Sequence, residues 1–359
     1  MKKFLFTSIM VLLFVNQSFS KINPNPKISG QEPIFTSTGS AAFLVDNKFN
    51  AESWSVSNNS WIAVRIKSGS SKIFFSWNNP AYPWSNELSP ARCPNNIEFP
   101  VDYDLLISSN STNGEDGDWK IAKSIRGSIV SARGHAIDFK GASWAKMHIL
   151  KGGGSIDEIQ VFDISTSADD VWFFVGTSIT ANTFKGTPPE KNYADLITEK
   201  HSGYNPAIVR GGIGCISSSD LVNNLPKYLK MAGNTNFWAI EMGTNDAWGG
   251  TNDGVATFKS NLQLVVDSCK SHGITPVIAR VLATNDSLAK WQVHPDYLKA
   301  IDELTKQNNL MAGPDLFSWF SNHPEDLTND GVHPNASGAA NIQRLWAEAL
   351  DSLYVGSRK

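Results

Sequence analysis

Hydrophobic and polar positions follow two different patterns along this chain. Over residues 21–166 the apolar residues come in short runs: 61–66 (WIAVRI), 72–77 (KIFFSW), 103–108 (YDLLIS) and 146–150 (KMHIL). These runs are rich in β-branched and aromatic residues, and Gly, Asn, Ser and Pro clusters separate them. No helical period extends beyond two turns. The pattern predicts an all-β antiparallel sandwich. Residues 165–170 (STSADD) are small and polar and read as a linker.

From residue 167 to residue 359 the pattern changes. Apolar strand candidates at 171–175, 207–209, 236–242, 276–282 and 310–313 alternate with helix candidates at 193–201, 218–231, 254–272 and 295–308. A last helix is expected over 336–353, where Ile342, Leu345, Trp346, Ala349 and Leu353 recur at helical spacing. Strands alternating with helices predict an α/β domain: a parallel sheet covered on both faces. Chemistry in such sheets sits at the carboxyl ends of the strands.

The chain has 359 residues, 41% of them hydrophobic and 18% charged, so it has enough apolar material for packed cores and is not a disordered chain. Its net charge is −3 and it has no basic block, which argues against nucleic acid as a partner. Twelve Trp residues and an aromatic fraction of 11% fit a chain that handles sugars.

Residues 1–20 begin with Lys2 and Lys3, continue in an apolar run over 4–15, and place Ser18 and Ser20 at the −3 and −1 positions of a cut after Ser20. This reads as an export signal. The run is shorter than the ~20 residues that span a bilayer, and no second apolar run of that length follows. The mature chain is therefore expected to be secreted or periplasmic, without a membrane partner and monomeric. Three cysteines, Cys93, Cys215 and Cys269, leave at least one unpaired within the chain. No Cys/His spacing suggests a metal.

Four segments at strand or helix ends carry candidate chemistry. The first is Gly176-Thr177-Ser178-Ile179, which follows the 171–175 strand. There a Ser hydroxyl would project above the sheet, or Thr177 or Ser178 would simply cap a helix. The second, Arg210-Gly211-Gly212-Ile213-Gly214-Cys215, can aim backbone N–H groups into a cleft. The third, Gly243-Thr244-Asn245-Asp246, offers an amide that donates to an oxyanion without adding charge. In the fourth, Asp330-Gly331-Val332-His333-Pro334, a carboxylate can reach the ring of the His three residues on, hold Nδ1–H and leave Nε2 as a base.

Together, in this order, the four segments resemble the SGNH hydrolases, also called the GDSL esterase/lipase family, over about 170–353. The resemblance implies a three-layer α/β/α, flavodoxin-like domain. It makes Ser178 the nucleophile, His333 the general base and Asp330 the residue that orients His333. The oxyanion hole would consist of the Ser178 and Cys215 backbone N–H groups and the Asn245 side chain. Two departures stand out. The usual Gly-Asp-Ser is Gly-Thr-Ser here, and Cys215 occupies a glycine position, with Gly214 as the fallback donor. The first half, in 42–66, 103–122, 135–150 and 156–164, is similar to the discoidin or galactose-binding-like jelly roll.

The SGNH resemblance implies acyl transfer by a serine esterase needing no metal or cofactor. Export, the amino-terminal jelly roll and nearby aromatics favour an O-acetylated carbohydrate as the substrate. The alternatives are another short-chain ester hydrolase or lipase, and a catalytically inactive sugar-binding protein. Trp248, three residues beyond Asn245, would wall the cleft or pack. Trp54, Trp77, Tyr82 and Trp84 would be sugar platforms or packing residues, with packing preferred.

Overall fold

The computed structural model describes residues 21–355 except 31, 39–40, 50–51, 67–68, 81 and 185–190. The expected export signal, 1–20, lies outside the described residues. The first half contains β1 (Ile34–Thr36), β2 (Trp54–Ser55), β3 (Trp61–Arg65), β4 (Lys72–Asn78), β5 (Pro100–Ser108), β6 (Lys120–Ile125), β7 (Ala132–Asp138), β8 (Trp144–Gly152), β9 (Ser155–Ile156) and β10 (Glu158–Asp163). They form one sheet in the order β1-β3-β8-β5-β6, a second in the order β10-β4-β7, and a β2-β9 pair. All of these pairings are antiparallel.

The two larger sheets face each other. Ile73, Phe75 and Trp77 of β4 share a core with Val64, Tyr103 and Met147 of the opposite sheet. Side chains alternate along a strand, so Phe74 points the other way. It joins Val171 and Phe173 in the core of the second half. The β10-β4-β7 sheet is thus covered on both sides, and its outer face is the seam between the two halves.

The second half runs β11 (Val171–Gly176), α1 (Ser178–Thr183), α2 (Tyr193–Lys200), β12 (Ala207–Gly212), α3 (Ser218–Asn223), α4 (Leu225–Ala232), β13 (Phe237–Glu241), α5 (Val255–Ser271), β14 (Thr275–Arg280), α6 (Asp286–Ala289), α7 (Pro295–Gln307), β15 (Ala312–Asp315), α8 (Leu316–Asn322) and α9 (Ala336–Leu350). Its five strands are parallel, in the order β12-β11-β13-β14-β15. Counted from the first parallel strand this is 2-1-3-4-5, the doubly wound order of flavodoxin-like sheets. Residues of α3, α4, α5 and α7 pack on one face, and those of α1, α2, α8 and α9 on the other. No helix among the described residues is long and apolar enough to cross a membrane.

The helix expected over 218–231 is two helices. The chain turns out of helical geometry at Asn224 (φ −112°, ψ 7°), and Pro226 sits in the first turn of α4. Proline has no N–H to continue the α3 ladder and is well placed at a helix start. The last helix stops at Leu350 and tightens into a 3-10 turn, Asp351–Leu353. Short α8 went unforeseen because its seven residues present too little periodicity.

Residues 165–170 contain no regular element, yet they are pinned. Asn25 bonds both the Asp170 carbonyl and the Asp170 N–H. The Asp170 carboxylate accepts from Trp172 Nε1 and the Tyr354 hydroxyl, both at 2.8 Å.

Across the seam, the Trp84 ring packs on Phe173 and Tyr228 with centroids 4.8 and 5.2 Å apart. Its backbone N–H donates to the Gly212 carbonyl at 3.0 Å. Arg210 of β12, buried, donates Nε–H to the Asn78 side chain. Trp84 is therefore a packing residue. So are Trp54, bonded to Thr38, and Trp77, bonded to the Tyr103 hydroxyl; all three are buried. Tyr82, the fourth aromatic, reaches the loop after β12.

Candidate active site

Three strand ends meet at the switch point of the parallel sheet. β11, the first parallel strand, lies between β12 and β13. Chains leaving it on either side diverge and open a crevice at its carboxyl end. Ser178 stands there as the first residue of α1. Thr177 is the N-cap: its side chain accepts the Ile179 N–H at 3.1 Å. Nucleophile candidate and cap are thus neighbours, and the turn serves both. Gly212 lets α1 approach, since a Cβ there would come within 2.3 Å of the Ala181 nitrogen.

His333 arrives from the loop before α9. Its Nε2 lies 2.8 Å from Ser178 Oγ, and its Nδ1 lies 2.6 Å from Asp330 Oδ2. The other Asp330 oxygen accepts the Val332 N–H at 2.8 Å, the His333 N–H at 3.0 Å and the Thr328 hydroxyl at 2.7 Å. Burial pushes the Asp330 carboxyl up, but these bonds outweigh it and hold it well below the usual carboxylate range. The group that faces the ring is therefore an anion. The local Asp-x-x-His spacing closes this contact, and the sheet brings the pair to Ser178, 155 residues away.

Asn245 follows β13. Its Nδ2 donates to the Ile216 carbonyl at 2.8 Å, which places the amide against the glycine-rich turn. Asp246 accepts the Ser218 N–H at 3.0 Å and the Ser218 hydroxyl, locking α3 to the same loop. Cys215 has φ +64°. The residue in the glycine position thus adopts the left-handed conformation that a glycine would adopt easily. Trp248 packs at a tilt against Trp291 with centroids 5.1 Å apart and remains 59% exposed, so it both packs and presents a face to solvent.

Sequence reasoning missed Glu241. Its Oε2 accepts the Thr177 hydroxyl at 2.9 Å, the Thr180 hydroxyl at 3.1 Å and the Thr177 N–H at 3.3 Å. Burial pushes its carboxyl up to about 7 against the pull of these bonds. A single carboxylate inside an otherwise apolar parallel strand, FWAIE, was the available signal. Sequence reasoning also left the cysteine pairing open. Cys93 and Cys215 form a disulfide with Cα atoms 6.3 Å apart, and Cys269 is a buried free thiol.

No family profile matches this sequence, and no curated protein matches it. Solved structures do show likeness. A lipase/acylhydrolase from Enterococcus faecalis is 20% identical (TM-score 0.41), the overlap covering 50% of this chain and 94% of the other. A catalytic mutant of an acetylxylan esterase from Geobacillus stearothermophilus is 17% identical (TM-score 0.39), with 52% of this chain and 97% of the other covered. A psychrotrophic esterase from Pseudoalteromonas sp. is 15% identical (TM-score 0.41), with 51% and 97% covered.

Proposed function

We propose that this chain is an exported serine ester hydrolase of the GDSL/SGNH type that removes acetyl groups from carbohydrate. The observation that carries the reading is the continuous chain Asp330–His333–Ser178, with contacts of 2.6 and 2.8 Å, at the carboxyl end of a parallel sheet. A serine hydroxyl is a weak nucleophile until an adjacent base takes its proton. His333 Nε2 is within reach to do so. Asp330, accepting at Nδ1, fixes the ring with Nε2 facing Ser178 and stabilises the imidazolium that forms.

Ser178 Oγ bonds to the ester carbonyl carbon as its proton passes to His333. The carbonyl oxygen takes up the negative charge. The backbone N–H groups of Ser178 and Cys215 and the amide of Asn245 are the donors assigned to it. The intermediate collapses, the bond to the alcohol oxygen breaks, and His333 returns the proton to that alkoxide. Water, activated by the same ring, then releases the acyl group and restores Ser178.

The carbohydrate assignment is supported by the aromatic face of Trp248 and by an antiparallel half that fits a galactose-binding-like jelly roll. The mature protein is expected to hydrolyse p-nitrophenyl acetate much faster than long-chain esters and to release acetate from acetylated polysaccharides. Ser178→Ala should lose about 10⁶-fold in kcat, and Asp330→Asn about 10⁴-fold. Turnover by Ser178→Ala equal to that of the native chain would overturn the reading. A preference for long acyl chains would move it to a lipase.

A further inference from the structure

The oxyanion turn is held from outside its own half of the chain. It leaves β12 at Gly212 and enters α3 at Ser218. Within that half, Ile213 N–H donates to the Gly176 carbonyl at 3.0 Å, and Asn245 holds the Ile216 carbonyl. Asp246 and Asp220 hold its far end at Ser218 and Ser217, and further contacts come from residues 82–93, in the loop between β4 and β5 of the antiparallel half. Trp84 N–H takes the Gly212 carbonyl. The Tyr82 phenol hydrogen-bonds the Gly214 backbone. A Cβ at Gly214 would lie 1.9 Å from that phenol oxygen, so only glycine admits the contact. The Arg92 guanidinium donates to the Cys215 carbonyl and to Asp220, the residue that completes the capping box at the start of α3. Cys93 bonds covalently to Cys215.

We propose that residues 82–93 are a positioning clamp for the oxyanion turn, with the Cys93–Cys215 disulfide as its anchor. Cys215 is held at φ +64°, a conformation that disfavours any side chain. A glycine would enter it freely but would also leave it freely. Here the tether on Sγ and the guanidinium on the carbonyl restrict the residue on both sides of its Cα. The phenol occupies the Gly214 backbone, which leaves the Cys215 N–H as the turn's donor toward a developing oxyanion. The antiparallel half thereby becomes part of the catalytic apparatus rather than an appendage. Tyr82, Arg92 and Cys93 touch no reacting atom; Tyr82 acts through Gly214, and Arg92 and Cys93 act through Cys215.

The catalytic meaning of the clamp rests on the ester-hydrolase reading, but its mechanical meaning does not, so the test reads both. Full-length oxidised protein is compared with protein reduced by a phosphine and with Cys93→Ser, well below the melting temperature of each. Hydrogen exchange is followed over residues 211–217 and over the α1 segment, together with kcat and KM for p-nitrophenyl acetate and the pH profile. The clamp predicts exchange at 211–217 at least about tenfold faster, α1 unchanged, kcat lower by about 10- to 100-fold, KM within about threefold and the same pH profile. Arg92→Ala should show a smaller loss of the same kind, partly restored by Arg92→Lys.

Unchanged exchange over 211–217 overturns the proposal, as does faster exchange with full kcat in an active enzyme, or a loss of kcat without faster exchange. Three titratable thiols in the unfolded, unreduced chain would also overturn it. Faster exchange in a protein that never hydrolyses the ester upholds the clamp and sinks the hydrolase reading. An active enzyme indifferent to reduction does the reverse.

Discussion

Glu241 Oε2 accepts the Thr177 hydroxyl at 2.9 Å, directly beneath the residue that caps the helix of Ser178. A buried acceptor on the central sheet therefore fixes the turn that presents the hydroxyl. Removing it leaves two threonine hydroxyls and the Thr177 N–H without their partner, each of which costs about 1–3 kcal/mol when buried. Glu241→Ala is expected to lower kcat by about 10- to 10³-fold with a reduced melting temperature. Glu241→Gln, which keeps an acceptor, should retain most of both. Steady-state kinetics beside thermal unfolding checks this, and full activity in the Ala variant would rule out a positioning role.

Asn245 spends one N–H on the Ile216 carbonyl, so its orientation is set before substrate arrives. Preorganised donors of this kind typically contribute 10²–10³ in kcat, on the order of 3–4 kcal/mol. Asn245→Ala should show that loss with little change in KM. Asn245→Asp should be at least as poor, because in the proposed mechanism a carboxylate would face the oxyanion. A large rise in KM at constant kcat would assign Asn245 to ground-state binding instead.

The seam between the halves includes an apolar patch centred on Trp84, which is fully buried against Phe173 and Tyr228. Trp84→Ala is expected to destabilise the chain by about 3–5 kcal/mol. The change should also disturb the turn after β12, since the Trp84 N–H holds the Gly212 carbonyl. Urea unfolding of the variant measures the first effect, and kcat in the absence of denaturant measures the second.

Asp170 gives a pH test with a definite sign. Burial, opposed by the bonds from Trp172 and Tyr354, pushes its carboxyl up to about 7. An unfolded Asp titrates near 3.9. Between about 4 and about 7 the folded chain therefore binds this proton and the unfolded chain does not. The stability contributed by Asp170 falls as pH rises through that window. Asp170→Asn removes the titration. The melting temperature of the variant minus that of the native chain should become more positive from pH 5 to pH 8. A flat difference would show that Asp170 is ionised throughout.

Much of this protein is legible along the chain because the relevant forces are local. The β-to-βα change of grammar, the Thr177-Ser178 turn at the end of β11 and the Asp330–His333 contact across one turn all follow from neighbouring residues. Periodicity gave the parallel strands, four of the antiparallel ones and most helices, but it merged α3 and α4, because a single Pro226 within an apolar period is a weak break when its backbone angles are unknown. Residue type alone also could not separate Trp84, a seam residue, from an exposed sugar platform, because burial is decided by what lies opposite. Only the tertiary structure decided which cysteines pair, what Glu241 supports, and that a loop some 120 residues earlier holds the turn at Cys215. Those relations depend on how two independently patterned halves meet face to face, and such a contact leaves no periodic trace in either half.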